Sequence, residues 1–192
     1  MAKVYPQVPS FSPHMTSKRE SFTVWMKSLV YQTNGCTVYN TNGDIFYRVD
    51  NYDKKGSNEV HLMDLRGKVL FTIRRKKLLT FEGWDGYRCS DSYIKEKKPW
   101  FQVKKCYRML KGDLGIQVTV GCDKYWIVRL AGKTSFGIVN IDGDIVAEAK
   151  PKQSSSGVLL GDDVLALVVE PHMDHSLMMA LLIVYGLIRR RM

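Results

Sequence analysis

The chain has 192 residues, enough for one sizeable hydrophobic core and short for two. Hydrophobic residues make up 45% and charged residues 25%, both ordinary globular values, but 29 Lys+Arg against 19 Asp+Glu leave a net charge of +10. Between Arg66 and Lys111 there are fourteen Lys/Arg and four Asp/Glu, so this quarter of the chain supplies the whole excess. Such a bias favours an anionic partner, whether phospholipid headgroups, nucleic acid or an acidic protein. A solvated face that only aids solubility is the competing reading.

Residues 1–20, with Pro6, Pro9 and Pro13 among polar neighbours, read as a flexible tail with no apolar core that a signal peptide would need. Residues 21–192 read as one domain. Its strand-like runs are Phe22–Met26, Thr37–Tyr39, Ile45–Val49, Val60–Met63, Val69–Arg74, Gly86–Cys89, Trp100–Lys104, Ile116–Val120, Tyr125–Leu130, Phe136–Ile141, Ile145–Ala149 and Val164–Val169. Short strands separated by frequent turns predict a sandwich or barrel of antiparallel neighbours. One turn pattern occurs three times: Asn40-Thr-Asn-Gly43-Asp-Ile45, Asp64-Leu-Arg-Gly67-Lys-Val69 and Asn140-Ile-Asp-Gly143-Asp-Ile145. The short polar side chain opens the turn by bonding the backbone, and the glycine takes the positive φ that closes it. These are hairpin turns, because a calcium loop needs more oxygen ligands at set positions. Asn51–Asn58 and Pro151–Asp163 lack strand pattern and read as surface connections.

The carboxy-terminal run Leu177–Ile188 (LMMALLIVYGLI) has no polar face at helical spacing and must be enclosed on every side. Its twelve residues reach about 18 Å at ~1.5 Å each, against about 30 Å for a bilayer core. A tail anchor with snorkelling Arg189, Arg190 and Arg191 is therefore the weaker alternative to a helix, about 174–190, wrapped by the sheet. Asp174 or Ser176 can cap its amino end, and Gly186 permits close approach of a neighbouring backbone.

Little in the chain points to catalysis. Cys36, Cys89, Cys106 and Cys122 have no paired spacing, His172 and His175 lack a third convergent ligand, and no sequon, nucleophile elbow, phosphate loop or paired carboxylates occur. We therefore expect a non-enzymatic, monomeric protein with free thiols, no cofactor and no metal, in the cytoplasm, peripheral at a membrane, or in the nucleus.

Phe22-Thr-Val-Trp25, Tyr47-Arg-Val-Asp-Asn-Tyr52, His61-Leu-Met-Asp64, Gly67-Lys68 and Thr72-Ile-Arg-Arg-Lys76 together resemble the plant LURP-one-related family over most of the chain from Phe22 onward. That family is similar to the Tubby carboxy-terminal domain and to phospholipid scramblases. The resemblance implies a mainly β fold, an antiparallel closed barrel of about twelve strands around a hydrophobic carboxy-terminal helix. It also implies a link with plant defence without assigning a molecular activity. By analogy with Tubby domains it implies tethering to phosphoinositide or other anionic membranes. Nucleic-acid binding as a membrane-tethered transcriptional regulator and scramblase-like lipid handling are the alternatives it leaves open, and no calcium segment supports the last. An unidentified protein partner is a further alternative.

Two basic clusters are candidate headgroup sites. Arg74-Arg75-Lys76-Lys77 is the densest, and on a strand Arg75 and Lys77 would share one face. Its charges would bind phosphate, or else protect a strand end from pairing. Lys95, Lys97 and Lys98 stand beside Pro99 and Trp100, a combination of charge for phosphate and ring for the interface. Trp100 packed inward would instead leave those lysines as a solvated turn.

Overall fold

The computed structural model describes residues 14–26, 35–50, 59–77, 82–89, 98–107, 114–130, 135–161 and 163–189. Twelve strands precede one helix: β1 (Glu20–Trp25), β2 (Cys36–Tyr39), β3 (Ile45–Asp50), β4 (Glu59–Asp64), β5 (Val69–Lys77), β6 (Glu82–Arg88), β7 (Phe101–Tyr107), β8 (Leu114–Val120), β9 (Asp123–Arg129), β10 (Phe136–Val139), β11 (Ile145–Pro151), β12 (Val164–Val169) and α1 (His175–Ile188). Each strand pairs antiparallel with its sequence neighbour, and β1 pairs with β12 to close the barrel. All the predicted strands are present, Val164–Val169 with its expected borders and the others with shifted ones. The largest change is β6, expected from Gly86 and starting at Glu82. Glu82-Gly83-Trp84-Asp85 has turn-like composition, but its pairing with Arg74–Lys77 of β5 holds it extended. Tertiary pairing outweighs local propensity there.

Strand residues alternate between interior and exterior. Phe22, Val24, Leu62, Phe71, Ile73, Val118 and Leu167 point inward and are buried. At Gly86 the ring of Phe101, its cross-strand partner, occupies the space a β-carbon would fill. Down the axis runs α1, buried at every residue from His175 to Val184. Met178 through Val184 are fully buried, which excludes the tail-anchor alternative. Among the described residues no helix is long and apolar enough to cross a membrane. Asp174 is the amino-terminal cap, its Oδ1 accepting from the backbone N–H of Ser176 (2.9 Å) and Leu177 (3.2 Å). Ser176 lies inside the helix and gives its hydroxyl to the same carboxylate (2.5 Å). At the other end Tyr185 stacks on Phe136 with ring centres 3.9 Å apart, and Arg189 lies over Tyr185.

The barrel therefore has an entry rim, where α1 begins, and an exit rim, where it ends. The three repeated turns lie at the entry rim and share one construction. Asn40 Oδ1 accepts from the N–H of Asn42 and Asp44, Asp64 Oδ1 from Arg66 and Lys68, and Asn140 Oδ1 from Asp142 and Asp144. Gly43, Gly67 and Gly143 have φ of 85°, 78° and 91°. The register shifts at the same place each time, between Val38 and Tyr39, Leu62 and Met63, and Ile138 and Val139, so each hairpin carries the same bulge. On the amino-terminal side, the segment expected as tail supplies the first residue of β1, Glu20, and Met15 forms a bridge with Asp174.

Leu181, wholly enclosed at mid-helix, offers a direct test of the axial core. Leu181→Ala should lower unfolding free energy by about 2–5 kcal/mol in denaturant titration, whereas Ile141→Ser on an exposed turn should change it by less than about 0.5 kcal/mol.

Candidate anionic-surface site

Strand alternation sorts the first basic cluster onto two faces. Arg74 and Lys76 point outward and already have acidic partners. Arg74 Nε donates to Glu59 Oε2 of β4 (2.6 Å), and its guanidinium lies over the Tyr87 ring at 5.2 Å. This bond holds the guanidinium pKa above its ordinary value. Lys76 Nζ reaches Asp85 Oδ2 (3.1 Å), whose other oxygen accepts from Gln102 Nε2 (3.3 Å), so the buried carboxylate is satisfied on both sides. Arg75 follows Phe71 and Ile73 on the inward row, opposite Trp84, and is half-buried near the exit rim. Lys77 ends β5 opposite Glu82. Two outward cations are thus committed to carboxylates.

Of the second cluster, Lys98 lies at the other end of the barrel. Lys98 is exposed on the approach to β7, at the entry rim, while Lys95 and Lys97 fall outside the described residues. Beside Lys98, Trp100 is 41% exposed, with Arg88 over its ring at 5.0 Å. Lys98 and the Arg74–Lys77 run therefore stand at opposite rims. β5 runs the height of the wall between them.

Folding brings further cations to the same end of the barrel as the first cluster. Lys104 is exposed and Lys105 half-buried on the exit half of β7, Arg129 ends β9 there, and Arg189 follows α1. The entry rim is balanced differently, with Asp44, Asp142 and Asp144 in its turns beside Arg66 and Lys68.

The entrance of α1 holds a polar network that sequence analysis missed. Tyr47 Oη lies 2.7 Å from His175 Nδ1 and 3.0 Å from His14 Nδ1. A phenol has one proton to give, so it donates to one imidazole and accepts from the other, which fixes complementary neutral tautomers. Phe22 and Phe46 pack on the His175 ring. Burial, reinforced by His14, lowers the His175 pKa to about 4, and burial lowers His14 as well. Burial also drives the Tyr47 phenol upward. Next to this network Arg88 reaches Asp174 (3.6 Å), tying the helix cap to β6. Residues 14, 47 and 175 share no local motif, so no sequence signal could have joined them. Among the described residues no group of three or more His, Cys, Asp or Glu is placed to hold a metal. Cys36 is a buried core thiol, its pKa pushed up to about 12 by desolvation, and Cys89 and Cys122 are also free.

The sequence model of the LURP-one-related family matches residues 20–186. The chain belongs to the LURP-one-related family. It is 53% identical over 191 residues to Protein LURP-one-related 4 of Arabidopsis thaliana, covering 98% of this chain and 87% of that one. It is 40% identical to Protein LURP-one-related 11 of the same organism, covering 98% of this chain and 89% of the relative. An X-ray structure of an Arabidopsis thaliana protein superposes with a TM-score of 0.64 over 92% of this chain and 94% of its own, at 15% identity, a likeness of fold alone. The barrel-around-helix arrangement implied by the sequence resemblance is the one present.

The neutral His175 makes stability of this LURP-one-related protein pH-dependent. Its folded pKa of about 4 lies below the ordinary 6.5, so the unfolded chain binds the extra proton between these values. Stability from this group is complete above pH ~6.5 and is lost as pH falls toward the folded value. Between pH 7 and pH 5 the protein should lose about 2 kcal/mol of unfolding free energy by this route. His175→Gln should flatten that slope in denaturant titrations, whatever its effect at pH 7. A variant with an unchanged slope would show that the network does not control it.

Proposed function

We propose that this LURP-one-related protein is a non-enzymatic module that tethers to anionic phospholipid surfaces. The observation carrying this reading is spatial. The basic quarter of the sequence contributes β5, β6 and β7, three consecutive neighbours in the barrel, so the cations that lie in these strands, Arg74–Lys77, Arg88, Lys104 and Lys105, fall in one sector of wall. Arg75, Lys104 and Lys105 bring that sector to the exit rim, and Arg129 and Arg189 lie at the same rim beyond it.

The closed barrel supports the same reading. Its interior is filled by α1 side chains, so ligand contacts fall to the outer wall and rims. A planar anionic surface suits such cations, because each Lys or Arg held near it contributes about 1 kcal/mol without a deep pocket. Arg74 and Lys76, already paired with Glu59 and Asp85, serve the wall itself. Breaking the more exposed Arg74–Glu59 pair costs ~0–1 kcal/mol of stability.

Vesicle flotation tests the proposal. The native chain should float with vesicles containing phosphatidylserine or a phosphoinositide and not with neutral phosphatidylcholine, and binding should weaken as salt shortens the screening length. Lys104→Gln with Lys105→Gln should lower anionic binding on the order of 30-fold, from about 1 kcal/mol per charge. Equal flotation with neutral and anionic vesicles would refute the electrostatic reading.

A further inference from the structure

We infer that the ribbon joining β11 to β12 is a membrane-inserting finger, and that the exit rim is the face this protein lays on an anionic bilayer. The inference rests on the membrane reading above and adds the insertion point and orientation.

The finger is a short hairpin built on Lys152–Leu160. Ser154 N–H donates to Val158 O (2.7 Å), Gly157 N–H to Ser154 O (3.0 Å) and Leu160 N–H to Lys152 O (3.0 Å). Val158 N–H also donates to Ser154 Oγ (3.2 Å), and Gln153 and Leu159 form a bridge. Its returning arm is Val158-Leu159-Leu160, exposed by 64%, 55% and 51%. Successive residues of an extended segment point to opposite faces. Three consecutive exposed apolar residues therefore mean that neither face of this arm packs on the barrel. Exposed apolar side chains usually occur singly, and a run of three at a hairpin calls for a partner.

Several observations favour a bilayer as that partner. The arm is narrow, whereas a stable protein interface buries about 800 Å² on each side. The hairpin's internal hydrogen bonds satisfy backbone groups that would otherwise be costly in an apolar phase. Lys150 is exposed beside the ribbon, and Lys152 is anchored to Thr23. Trp25, 37% exposed at the same rim, gives its Nε1–H to Asp163 Oδ2 (2.9 Å), leaving its ring at the level that aromatic residues take at a bilayer interface. The finger and the basic sector share the exit rim on opposite sides of the barrel, so one surface can meet apolar tip and cations together.

The entry rim fits less well. Its exposed apolar residues are nowhere consecutive, and Ile141 and Ile145 share their turn with Asp142 and Asp144, whose charge an anionic surface repels.

Flotation with phosphatidylserine vesicles in low and high salt decides between the faces. Val158→Ser/Leu159→Ser/Leu160→Ser should weaken binding by about tenfold or more and abolish the part that survives high salt, because apolar insertion is not screened. Lys98→Gln at the entry rim should change binding by less than about twofold. A complementary probe keeps the fold intact: Leu159→Cys in a Cys122→Ser background, labelled with a nitrobenzoxadiazole dye, against the equally labelled Cys122→Ser chain. The dye at position 159 should brighten and shift to the blue when vesicles are added. If the native chain binds anionic vesicles while the serine variant binds equally and the dye stays in water, the finger is overturned and the membrane reading stands. Loss of binding on Lys98→Gln with none in the serine variant would place the docking face at the entry rim. If the native chain ignores anionic vesicles, both proposals fall.

Discussion

An α-helix without a polar face cannot meet water on any side, and the rest of this structure answers that requirement. A helix with its side chains is about 10–12 Å across. An eight-stranded barrel has room for little beyond its own side chains, so enclosing a helix takes more strands. Twelve close around α1 here, and closure leaves no strand edge open to another chain. The inward row and the helix form one contiguous core from Phe22 to Val184. Each fully buried Leu, Ile or Met contributes roughly 1.5–3 kcal/mol, so barrel and helix each depend on the other for burial.

The helix must also start somewhere, and its first turn brings polar groups to the mouth of an apolar tube. Asp174 satisfies the first amides, Arg88 balances Asp174, and Tyr47 links His175 to His14. Residues from before β1, from β3, from β6 and from α1 thus meet at one rim. Burial holds the imidazoles neutral, so this closure is most secure in neutral solution and weakens with acid.

The outer wall has a different division of labour. On the outer wall Arg74 and Lys76 are matched by carboxylates on neighbouring strands, as expected where charges support a sheet. Arg75, Lys104, Lys105 and Arg189 also lie toward the exit rim, and the apolar arm Val158–Leu160 stands at the same rim. The two rims of one barrel are therefore chemically unlike: hydrogen-bonded turns rich in aspartate at one, cations and a hydrophobic hairpin at the other.

The alternating strands, the three Asn/Asp-x-x-Gly turns, the apolar axial helix and the family were legible in the sequence, because each is written in residues close together along the chain. The bulge shared by the three hairpins follows from the same local chemistry. Beyond that reach, β6 begins earlier than its composition implies because β5 holds it extended. Arg74–Lys77 reads as one basic run, yet pleating and cross-strand acids divide it into paired outward charges and an inward Arg75. Val158–Leu160 falls in a stretch that reads only as a surface connection, and packing alone shows that none of the described residues covers its apolar arm. The Tyr47–His14–His175 network joins residues more than a hundred positions apart. Periodicity and turn chemistry act over a few residues and determined the elements; exposure, charge pairing and proton position depend on which elements become neighbours, and only barrel closure decided that.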